Sequence, residues 1–394
     1  MSVAACGAGD TGGTGTAASG GAVAGGRSGL GGIAPSSGGL SNAGGAGNAG
    51  GTWSGGTGGT ANTGGTPNTG GAASGGSPNT GGTATGGLSG TGGGVSGTGG
   101  IGGNAGRNFQ YIFVIAMENH DAASIYGNTM DAPYINNQLV PNYAIADNFV
   151  DELPSLASEP HYLWMEAGTN AFADHTFTTD NDPSAANSTN DTNHVVTQIN
   201  NVGGGLSWLS YQEGIDATSG TCPIASSGFY QPKHNPFIFF QDVSGAPPSK
   251  INTYCTDHHR PLSALSGDLM TKNVASYNFI TPDQCHDMHG QTGCPDKNTI
   301  RAGDTWLSTN LPPVIQFAGA NAGVIFITWD EGASTTLVPF IAVGPTVKVK
   351  HTSSVLYDHS SLVKSLDEML GLPVLQRVVG ANDFADLFTV GAFP

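Results

Sequence analysis

The chain has 394 residues, and its 29 acidic residues outnumber its 12 basic residues to give a net charge of −17. Proteins that bind nucleic acid usually carry clustered Lys and Arg side chains that contact its phosphates. No such cluster occurs here, so nucleic acid is excluded as the expected partner. No apolar run approaches the roughly 18 to 20 residues of a membrane helix.

The first 107 residues form a low-complexity segment. They hold 43 of the 63 glycines, mixed with Thr, Ala, Ser and Asn, and almost no large apolar side chains. Such a segment cannot bury enough apolar surface to offset its chain entropy, so we predict a disordered, flexible tether over residues 1–107. Residues 108–394 remain to fold, which is a suitable length for one catalytic α/β domain.

The sequence Val3-Ala4-Ala5-Cys6 resembles the lipobox of bacterial lipoproteins, in which the cysteine is acylated after signal cleavage. The basic and hydrophobic parts of a signal peptide are missing, which departs from that pattern. We interpret the chain as an exported protein of the periplasm, cell surface or extracellular space, with Cys6 as the candidate membrane tether.

Four further cysteines lie in the region expected to fold. An even number of cysteines behind an export-like leader favours two disulfides, and the pairs that close the shortest loops are Cys222 with Cys255 and Cys285 with Cys294. Zinc binding is the competing use of these cysteines. It ranks lower because no C-x-x-C spacing occurs.

The folded region begins with an apolar run, FQYIFVIAMEN, over residues 109–119. Its β-branched and aromatic residues do not alternate with period two, which predicts a strand buried on both faces of a parallel sheet. Ligands bind beyond the carboxyl ends of such strands, and Glu118 and Asn119 lie there. A short helix over residues 131–140 and a strand over residues 144–150 follow.

The segment SEPHYLWMEAG predicts a helix with Ser158 as its N-cap and with Glu159 and Pro160 in its first turn. A helix start carries unpaired N–H groups and the positive end of the helix dipole, so an anion bound there would face Ser158. The alternative is that Ser158 only caps the helix. Ser155 and Thr169 are the competing nucleophiles.

The middle of the domain mixes polar loops with regular elements. A polar stretch over residues 174–193 predicts an active-site loop, and a helix over residues 194–201, a strand over 206–214 and a helix over 263–271 follow. The run SYNFITP predicts another core strand, whose exit carries His286, Asp287 and His289. A helix over residues 304–318 is predicted to break at Pro312 and Pro313.

A second buried run, GVIFITWDEG, ends in Asp330 and Glu331. Because parallel strands end at one edge of a sheet, we expect these oxygen ligands and those after the first strand to form one site for a hard or borderline cation. The alternative is that each pair is a solvated turn. The chain then continues with a strand over residues 338–345 and an amphipathic helix that begins at His359. Strands and helices thus alternate along the chain, which predicts an α/β fold with a mostly parallel central sheet and helices on both faces.

These residue types suit phosphoryl transfer. A metal ion beside a serine hydroxyl lowers the pKa of that hydroxyl and screens an incoming phosphate, and histidines can protonate a leaving alkoxide. Phosphoryl transfer requires positioning and charge neutralisation more than elaborate covalent chemistry, and a cation with a helix start supplies both.

Six motifs occur in one order along residues 108–387: ENH, SEPHYLWMEAG, KHNPF, DMH, TWDEG and YDHSSL. This order resembles the acid phosphatase and phospholipase C family of phosphoesterases, within the alkaline phosphatase superfamily. The resemblance implies an alkaline-phosphatase-like fold and one divalent metal ion. Its ligands would be Glu118, Asn119, Asp330, Glu331 and Ser158, with Ser158 also the phosphorylated nucleophile.

By the same resemblance Asp287, His289 and His359 would lie across the phosphate, where other branches of the superfamily bind a second metal ion. The alternatives are that His289 lies in a surface turn and that His359 caps its helix. Lys233 and His234 are weaker candidates for phosphate contacts, because a Lys before Asn-Pro usually marks an exposed turn.

Two departures from the family pattern concern substrate contacts. His161 stands where the family commonly has an amide that contacts phosphate. Cys285 and His286 stand where Asn commonly precedes the aspartate, which leaves open whether His286 or His289 faces the site.

The sequence therefore predicts an exported, metal-dependent phosphomonoesterase of acid phosphatase type, with a phosphorylated small molecule or lipid headgroup as substrate. A phospholipase C-like phosphodiesterase of the same family is the first alternative, and known members of that type carry additional C-terminal modules. The second alternative is a non-catalytic surface module for metal binding or adhesion. A serine kept at a helix start beside metal ligands argues against it.

Overall fold

The computed structural model describes residues 107–216 and 220–394. The predicted tether, apart from Arg107, and the lipobox cysteine Cys6 lie outside the described residues. The description below therefore concerns the region predicted to be the catalytic domain.

Eight strands of the described region form one mixed sheet, which organises the fold. They are β1 Tyr111–Met117, β2 Ala144–Ala146, β3 Trp208–Gln212, β4 His259–Pro261, β5 Tyr277–Thr281, β6 Gly323–Trp329, β7 Phe340–Val343 and β8 His351–Ser353. The spatial order is β4-β3-β5-β1-β6-β7-β2-β8. Strand β7 is antiparallel to both of its neighbours, and the other five pairings are parallel. The prediction of a mostly parallel α/β sheet is confirmed.

Strands β1 and β6 form the centre of the sheet and run side by side in parallel, with Met117 opposite Trp329 at their carboxyl ends. Every residue of both strands is buried except Tyr111, which is half-buried. Side chains are thus covered on both faces of the sheet, as the unbroken apolar runs predicted.

Eight α-helices occur in the described region: α1 Ala122–Ile125, α2 Ser158–Ala167, α3 Val195–Val202, α4 Gln241–Ser244, α5 Thr253–His258, α6 Leu265–Thr271, α7 Thr299–Ala320 and α8 His359–Leu370. A π-helical turn spans Ile135–Leu139, and 3-10 turns span Pro232–His234, Pro236–Phe239, Leu262–Ala264, Gln376–Val378 and Phe384–Leu387. Among residues 107–216 and 220–394, none of the helices combines the length and apolar character that crossing a bilayer requires.

Helix α7 corrects the prediction of a break at the proline pair, because it runs continuously through Pro312 and Pro313. Both prolines are exposed, and so are Ser308 and Thr309, whose carbonyl groups lose their usual N–H donors. Water can satisfy these carbonyls on the solvent side of the helix, so the missing donors do not interrupt it.

Two further differences concern element boundaries. The strand predicted over residues 144–150 is regular only over Ala144–Ala146, and Phe149 and Val150 form isolated bridges instead. Ala157, not Ser158, is the N-cap of α2, and Ser158 is the first residue of the helix. The Ser158 hydroxyl is thus released from capping and is available to the site described below.

Both predicted disulfides are confirmed. Cys222 is bonded to Cys255 and Cys285 to Cys294. The second bridge closes a loop of sequence separation 9 that contains Asp287 and His289, and so it constrains the exit of β5. Disulfides are typical of exported or extracellular proteins.

A buried ionic cluster joins helices α2, α3 and α4. The imidazole of His194 lies between the carboxylates of Glu166, at 3.0 Å, and Asp242, at 3.2 Å. Burial alone would lower the pKa of His194, but the hydrogen bonds to Asp242 and Glu166 and their charges raise it to about 9. The imidazole of His194 is therefore protonated in the folded structure at neutral pH.

Candidate active site

Three neighbouring strands end at one edge of the sheet, and each is followed by a fully buried carboxylate. Glu118 follows β1, Asp330 follows β6, and Asp287 lies in the loop after β5. The backbone N–H of Glu118 donates to the carbonyl of Asp287 at 2.8 Å, and the N–H of Asp330 donates to the carbonyl of Met117 at 3.0 Å. The strand ladder thus continues past the strands and brings the carboxylates together.

Asn119 links the two predicted pairs of oxygen ligands. Its backbone N–H donates to Asp330 Oδ1 at 3.0 Å, and its side-chain Nδ2 donates to Glu331 Oε1 at 3.2 Å. Its φ of 45° lies in the left-handed region, which Asn tolerates better than most residues. The structure therefore brings Glu118, Asn119, Asp330 and Glu331 into one cluster.

Ser158 reaches the same cluster from the start of α2. Its Oγ donates to Glu118 Oε2 at 3.1 Å, and the residue is only 2% exposed. Ser155, a competing candidate, is exposed in the loop before the helix. Ser158 is therefore the hydroxyl that the fold sets against the carboxylates.

His234 adds a nitrogen ligand between two of the carboxylates. Its Nε2 lies 3.2 Å from Glu118 Oε1, and its Nδ1 lies 3.6 Å from Asp287 Oδ2. The ring of Tyr162 stacks on the imidazole with centroids 4.9 Å apart. Burial, with a contribution from the charge of Lys233, lowers the pKa of His234 well below its usual value, so the imidazole is neutral and offers a lone pair.

His161 lies on the other side of the cluster, where one of its nitrogens and a carboxylate oxygen from each of Asp330 and Glu331 lie within 4.8 Å of one another. Its Nε2 donates to Asp151 at 2.9 Å and its Nδ1 to the carbonyl of Ala157 at 2.8 Å. Burial alone would lower its pKa, but the hydrogen bond to Asp151 and nearby carboxylates raise it to about 9. His161 is thus a buried cation behind the acidic cluster.

His359 begins α8 and is also fully buried with both ring nitrogens engaged. Its Nδ1 lies 2.9 Å from Glu152 Oε1, and its Nε2 lies 3.0 Å from the carbonyl oxygen of Trp329. Burial opposes the charged form, but the charge and hydrogen bond of Glu152 raise the pKa of His359. Burial raises the pKa of Asp330, which follows Trp329, and the charges of His161 and His359 oppose this rise.

The remaining predicted residues lie at the rim. Lys233 Nζ donates to Asp180 Oδ2 at 2.6 Å. His289 is exposed, and its backbone N–H donates to Asp287 Oδ1 at 2.8 Å. His286 turns away from the cluster, since its Nδ1 lies 3.1 Å from both Glu213 Oε2 and Asp283 Oδ1.

The donor set fits a divalent cation. Within the described residues, five buried atoms of the cluster make no hydrogen bond of good geometry, although two of them, Glu118 Oε1 and His234 Nε2, lie 3.2 Å apart: Glu118 Oε1, Asn119 Oδ1, Asp287 Oδ2, Asp330 Oδ2 and His234 Nε2. Buried acceptors without a donor are strongly unfavourable unless a cation or another donor satisfies them. Four oxygens and one imidazole nitrogen are ligands that a hard or borderline divalent ion accepts.

The electrostatics agree with this donor set. Burial raises the pKa of Glu118 well above its usual value, and the charges of Asp330 and Asp287 raise it further. Burial likewise raises the pKa of Asp287 well above its usual value. Without a cation these buried carboxyl groups therefore favour the protonated form, and a bound metal ion would take the place of those protons.

Several residues around the site escaped sequence reasoning. Asp151 and Glu152 hold His161 and His359, and they follow the strand predicted over residues 144–150. Acidic residues just after a strand were the signal used for the two central strands, so the same rule could have found them. Asp180 and Tyr162 gave no comparable signal, because one lies in an irregular loop and the other inside a helix.

The sequence is similar to those of known phosphatases. Residues 128–373 match the Phosphoesterase family. The chain is 25% identical over 296 residues to phosphatidylinositol-3-phosphatase of Mycobacterium tuberculosis, which covers 73% of this chain and 86% of that protein. It is 28% identical over 190 residues to a phosphate-repressible acid phosphatase of Penicillium chrysogenum, which covers 45% of this chain and 42% of that relative.

Solved structures with a similar fold include murine ectonucleotide pyrophosphatase/phosphodiesterase 5, with a TM-score of 0.46 and 11% identity over 71% of this chain and 100% of that chain. A protein of the alkaline phosphatase superfamily from Vibrio parahaemolyticus has a TM-score of 0.44 and 10% identity over 70% of each chain.

The family match and the phosphatase relatives define a hydrolase of phosphoric esters. The chain belongs to the Phosphoesterase family, because that family's model matches more than half of it.

Proposed function

We propose that the protein is a metal-dependent phosphoric monoester hydrolase of acid phosphatase type that acts through a phosphoserine at Ser158. The observation that carries the proposal is the position of the Ser158 hydroxyl. It lies at the start of α2, 3.1 Å from Glu118, beside a cluster of buried acceptors without donors. The substrate is a phosphorylated small molecule or a lipid headgroup.

The oxygens of Glu118, Asn119, Asp330, Glu331 and Ser158 would hold one divalent ion. When bound, it supplies positive charge that lowers the pKa of the serine hydroxyl and neutralises the phosphate. A second ion, if one binds, fits the group of Glu118, His234 and Asp287, whose ligand atoms lie within 4.8 Å of one another. In this respect His234 replaces His289 and His359, which the sequence had suggested for a second site.

The chain's own residues carry the chemical steps. Ser158 Oγ attacks phosphorus as its proton passes to Glu118, its hydrogen-bond acceptor; a bond from Ser158 to phosphorus forms and the bond from phosphorus to the leaving oxygen breaks. Water then attacks the phosphoserine, the bond from Ser158 to phosphorus breaks, and inorganic phosphate is released while the proton returns from Glu118 to Ser158. His289, exposed at the rim and tied to Asp287, is assigned to proton transfer with the leaving alcohol and with water.

The other charged residues position these groups. His161 and His359 are buried cations whose ring nitrogens are held by Asp151 and Glu152, so they stabilise the acidic cluster. Lys233 lies at the rim, where it is paired with Asp180, and its positive charge attracts the phosphate. His286, which is held by other carboxylates, contributes only through the loop it shares with Asp287.

The experiment combines mutation with trapping of the intermediate. Ser158→Ala should lower turnover by roughly 10³-fold or more, the scale seen when other enzymes lose their nucleophile, yet still bind metal and inorganic phosphate. Ser155→Ala is the matched control and should do little. Intact mass after an acid quench with a fast-leaving aryl phosphate should show one phosphate on the peptide that contains Ser158.

An active Ser158→Ala enzyme, or an adduct on another residue, would refute the phosphoserine. Metal content measured together with rates on a phosphomonoester and a phosphocholine diester separates the monoesterase from the phosphodiesterase. Faster turnover of the diester would favour the latter.

The Gly-rich segment and Cys6 are proposed to form a tether that takes no part in catalysis. Deleting residues 1–107 should leave the melting transition and the turnover number unchanged, because their composition cannot contribute to a core. An insoluble product, or one that melts without cooperativity, would place the domain boundary elsewhere. Mass spectrometry of membrane-extracted protein tests for acylation of Cys6.

A further inference from the structure

A polar cleft adjoins the start of α2 and runs along the loop over residues 174–193. Its inner cavity has a volume of about 270 Å³ and is lined by Asp180, Asn181, Asp182, Gln231 and Lys233. An outer cavity of about 410 Å³ shares Asn181 and Asp182 with the inner one and is also lined by His175, Thr176, Thr178, Thr179, Ser184, Ala186 and Asn187. The two cavities therefore lie side by side.

The inner end of the cleft is linked by a hydrogen bond to the start of α2. Asp180 accepts the backbone N–H of Glu159 at 3.0 Å with one oxygen and Lys233 Nζ at 2.6 Å with the other. Glu159 directly follows Ser158 in the chain. A phosphate held at Ser158 would therefore have the cleft beside it, where the alcohol part of an ester can enter.

The wall of the cleft is fixed although it contains no helix or strand. Glu159 is fully buried and accepts the N–H of Asn181 at 2.7 Å and Asn187 Nδ2 at 3.1 Å. Asp174 accepts Thr189 Oγ1 at 2.6 Å at the far end of the loop. A wall held in place before binding loses little further freedom when a ligand binds.

We propose that this cleft binds the leaving alcohol of the substrate, and that the alcohol is polyhydroxylated, as in a sugar or a cyclitol. The inference rests on the proposed function, because it takes Ser158 as the point of phosphoryl transfer. Hydroxyl groups both donate and accept, and the lining offers the hydroxyls of threonine and serine and the amides of Asn and Gln, which do the same.

Other leaving groups match the lining less well. An aryl or acyl group would find few apolar side chains to pack against, since the described lining residues include Ala186 but no Phe, Tyr, Trp, Leu, Ile or Val. A quaternary ammonium group is recognised by several aromatic faces around it, and the same set of residues offers one ring, that of His175. The carboxylates of Asp180 and Asp182 are already paired, the latter with Ser226 Oγ at 3.0 Å.

The test compares substrates across matched variants. Thr179→Val removes one hydroxyl at nearly constant shape, and Asn181→Leu removes an amide while keeping its backbone bond to Glu159. We expect each to lower kcat/KM for myo-inositol monophosphate and glucose 6-phosphate by about 3- to 10-fold, mainly through KM, as for the loss of one hydrogen bond. Phenyl phosphate should change by less than about twofold. Thr309→Val, an exposed threonine on α7, is the control.

The outcomes separate this inference from the proposed function. If wild-type enzyme fails on phenyl phosphate as well, the proposed hydrolase activity is refuted. If the variants weaken phenyl phosphate as much as the polyol phosphates, or weaken choline phosphate most, the polyol cleft is refuted.

A phosphoinositide in phosphatidylcholine vesicles tests whether the polyol is carried by a lipid. A variant effect on soluble inositol phosphate alone assigns the cleft to free polyol phosphates. An effect in both assays assigns it to the headgroup chemistry that the two substrates share.

Discussion

Replacing Asp287 by Asn should make the metal-free protein more stable, although Asp287 belongs to the candidate active site. Asp287 is fully buried, its Oδ2 has no hydrogen-bond partner within the described residues, and a carboxylate oxygen of Glu118 lies within 4.8 Å. Asn has almost the same shape, keeps the oxygen that accepts the N–H of His289, and removes one negative charge.

The size of the effect follows from the spacing. Two unit charges at the 4.8 Å limit repel by about 3.5 kcal/mol at an effective dielectric constant of 20. Because burial raises the pKa of Glu118 and Asp287 well above normal, part of this repulsion is already relieved by protonation at neutral pH. We therefore expect Asp287→Asn to raise the free energy of unfolding by about 1–2 kcal/mol. Each kcal/mol corresponds to a rise in Tm of roughly 2–4 °C.

The assay is thermal and urea unfolding at pH 7.5 after treatment with a chelator. Asp304→Asn is the matched control, because both oxygens of Asp304 accept backbone N–H groups, from Tyr134 and Ile135, at 2.9 Å. Losing one of these acceptors should destabilise the protein by about 1–3 kcal/mol, so the two Asp→Asn changes have opposite signs.

Adding the metal ion should stabilise the wild-type protein through binding to the folded state, and should reduce or reverse the advantage of Asp287→Asn. A metal-free Asp287→Asn protein that is less stable than wild type would show that charge repulsion does not dominate at this cluster.

Two other predictions concern stability away from the cluster. The pKa of His194 is raised in the folded state to about 9. Its contribution to the free energy of unfolding, at most about 3 kcal/mol, is therefore complete below pH 6.5 and is lost as pH rises through 9. Urea unfolding at pH 6 and pH 10 should show this loss of stability in wild type but not in His194→Gln, and equal losses in both proteins would refute the prediction. Removing the Cys222–Cys255 bridge, of sequence separation 33, should cost about 1 kcal/mol more than removing Cys285–Cys294, of separation 9. Activity should follow the reverse order, because the shorter bridge encloses Asp287, and a larger loss of kcat without the longer bridge would contradict this.

The local sequence pattern was sufficient to predict the two central strands of the sheet. The unbroken apolar runs that became β1 and β6 are short and rich in β-branched and aromatic residues, so their burial on both faces of a sheet could be predicted. Adjacent acidic residues at their ends then predicted the cluster of Glu118, Asn119, Asp330 and Glu331. Edge strands β4 and β8 could not be predicted, because HRP and HTS carry no strand pattern and exist only through pairing with a neighbour.

The positions of the histidines depend on contacts between distant segments. Sequence alone could not choose between His286 and His289, since either can follow a strand exit. In the fold, Glu213, directly after β3, lies 3.1 Å from His286, while the backbone N–H of His289 donates to Asp287. Likewise His234 enters the acidic cluster only because a 3-10 turn and the ring of Tyr162 place it there.

The sequence by itself determined the sheet class, both disulfide pairings and the family, because these depend on local apolar runs, on loop length and on motif order. Only the tertiary structure decided which side chains face one another across the sheet edge, since distances between segments more than a hundred residues apart follow from packing. The same reason applies to Asp180. Its role at the start of α2 depends on a loop that carries no periodic pattern and is held by single hydrogen bonds to a buried glutamate.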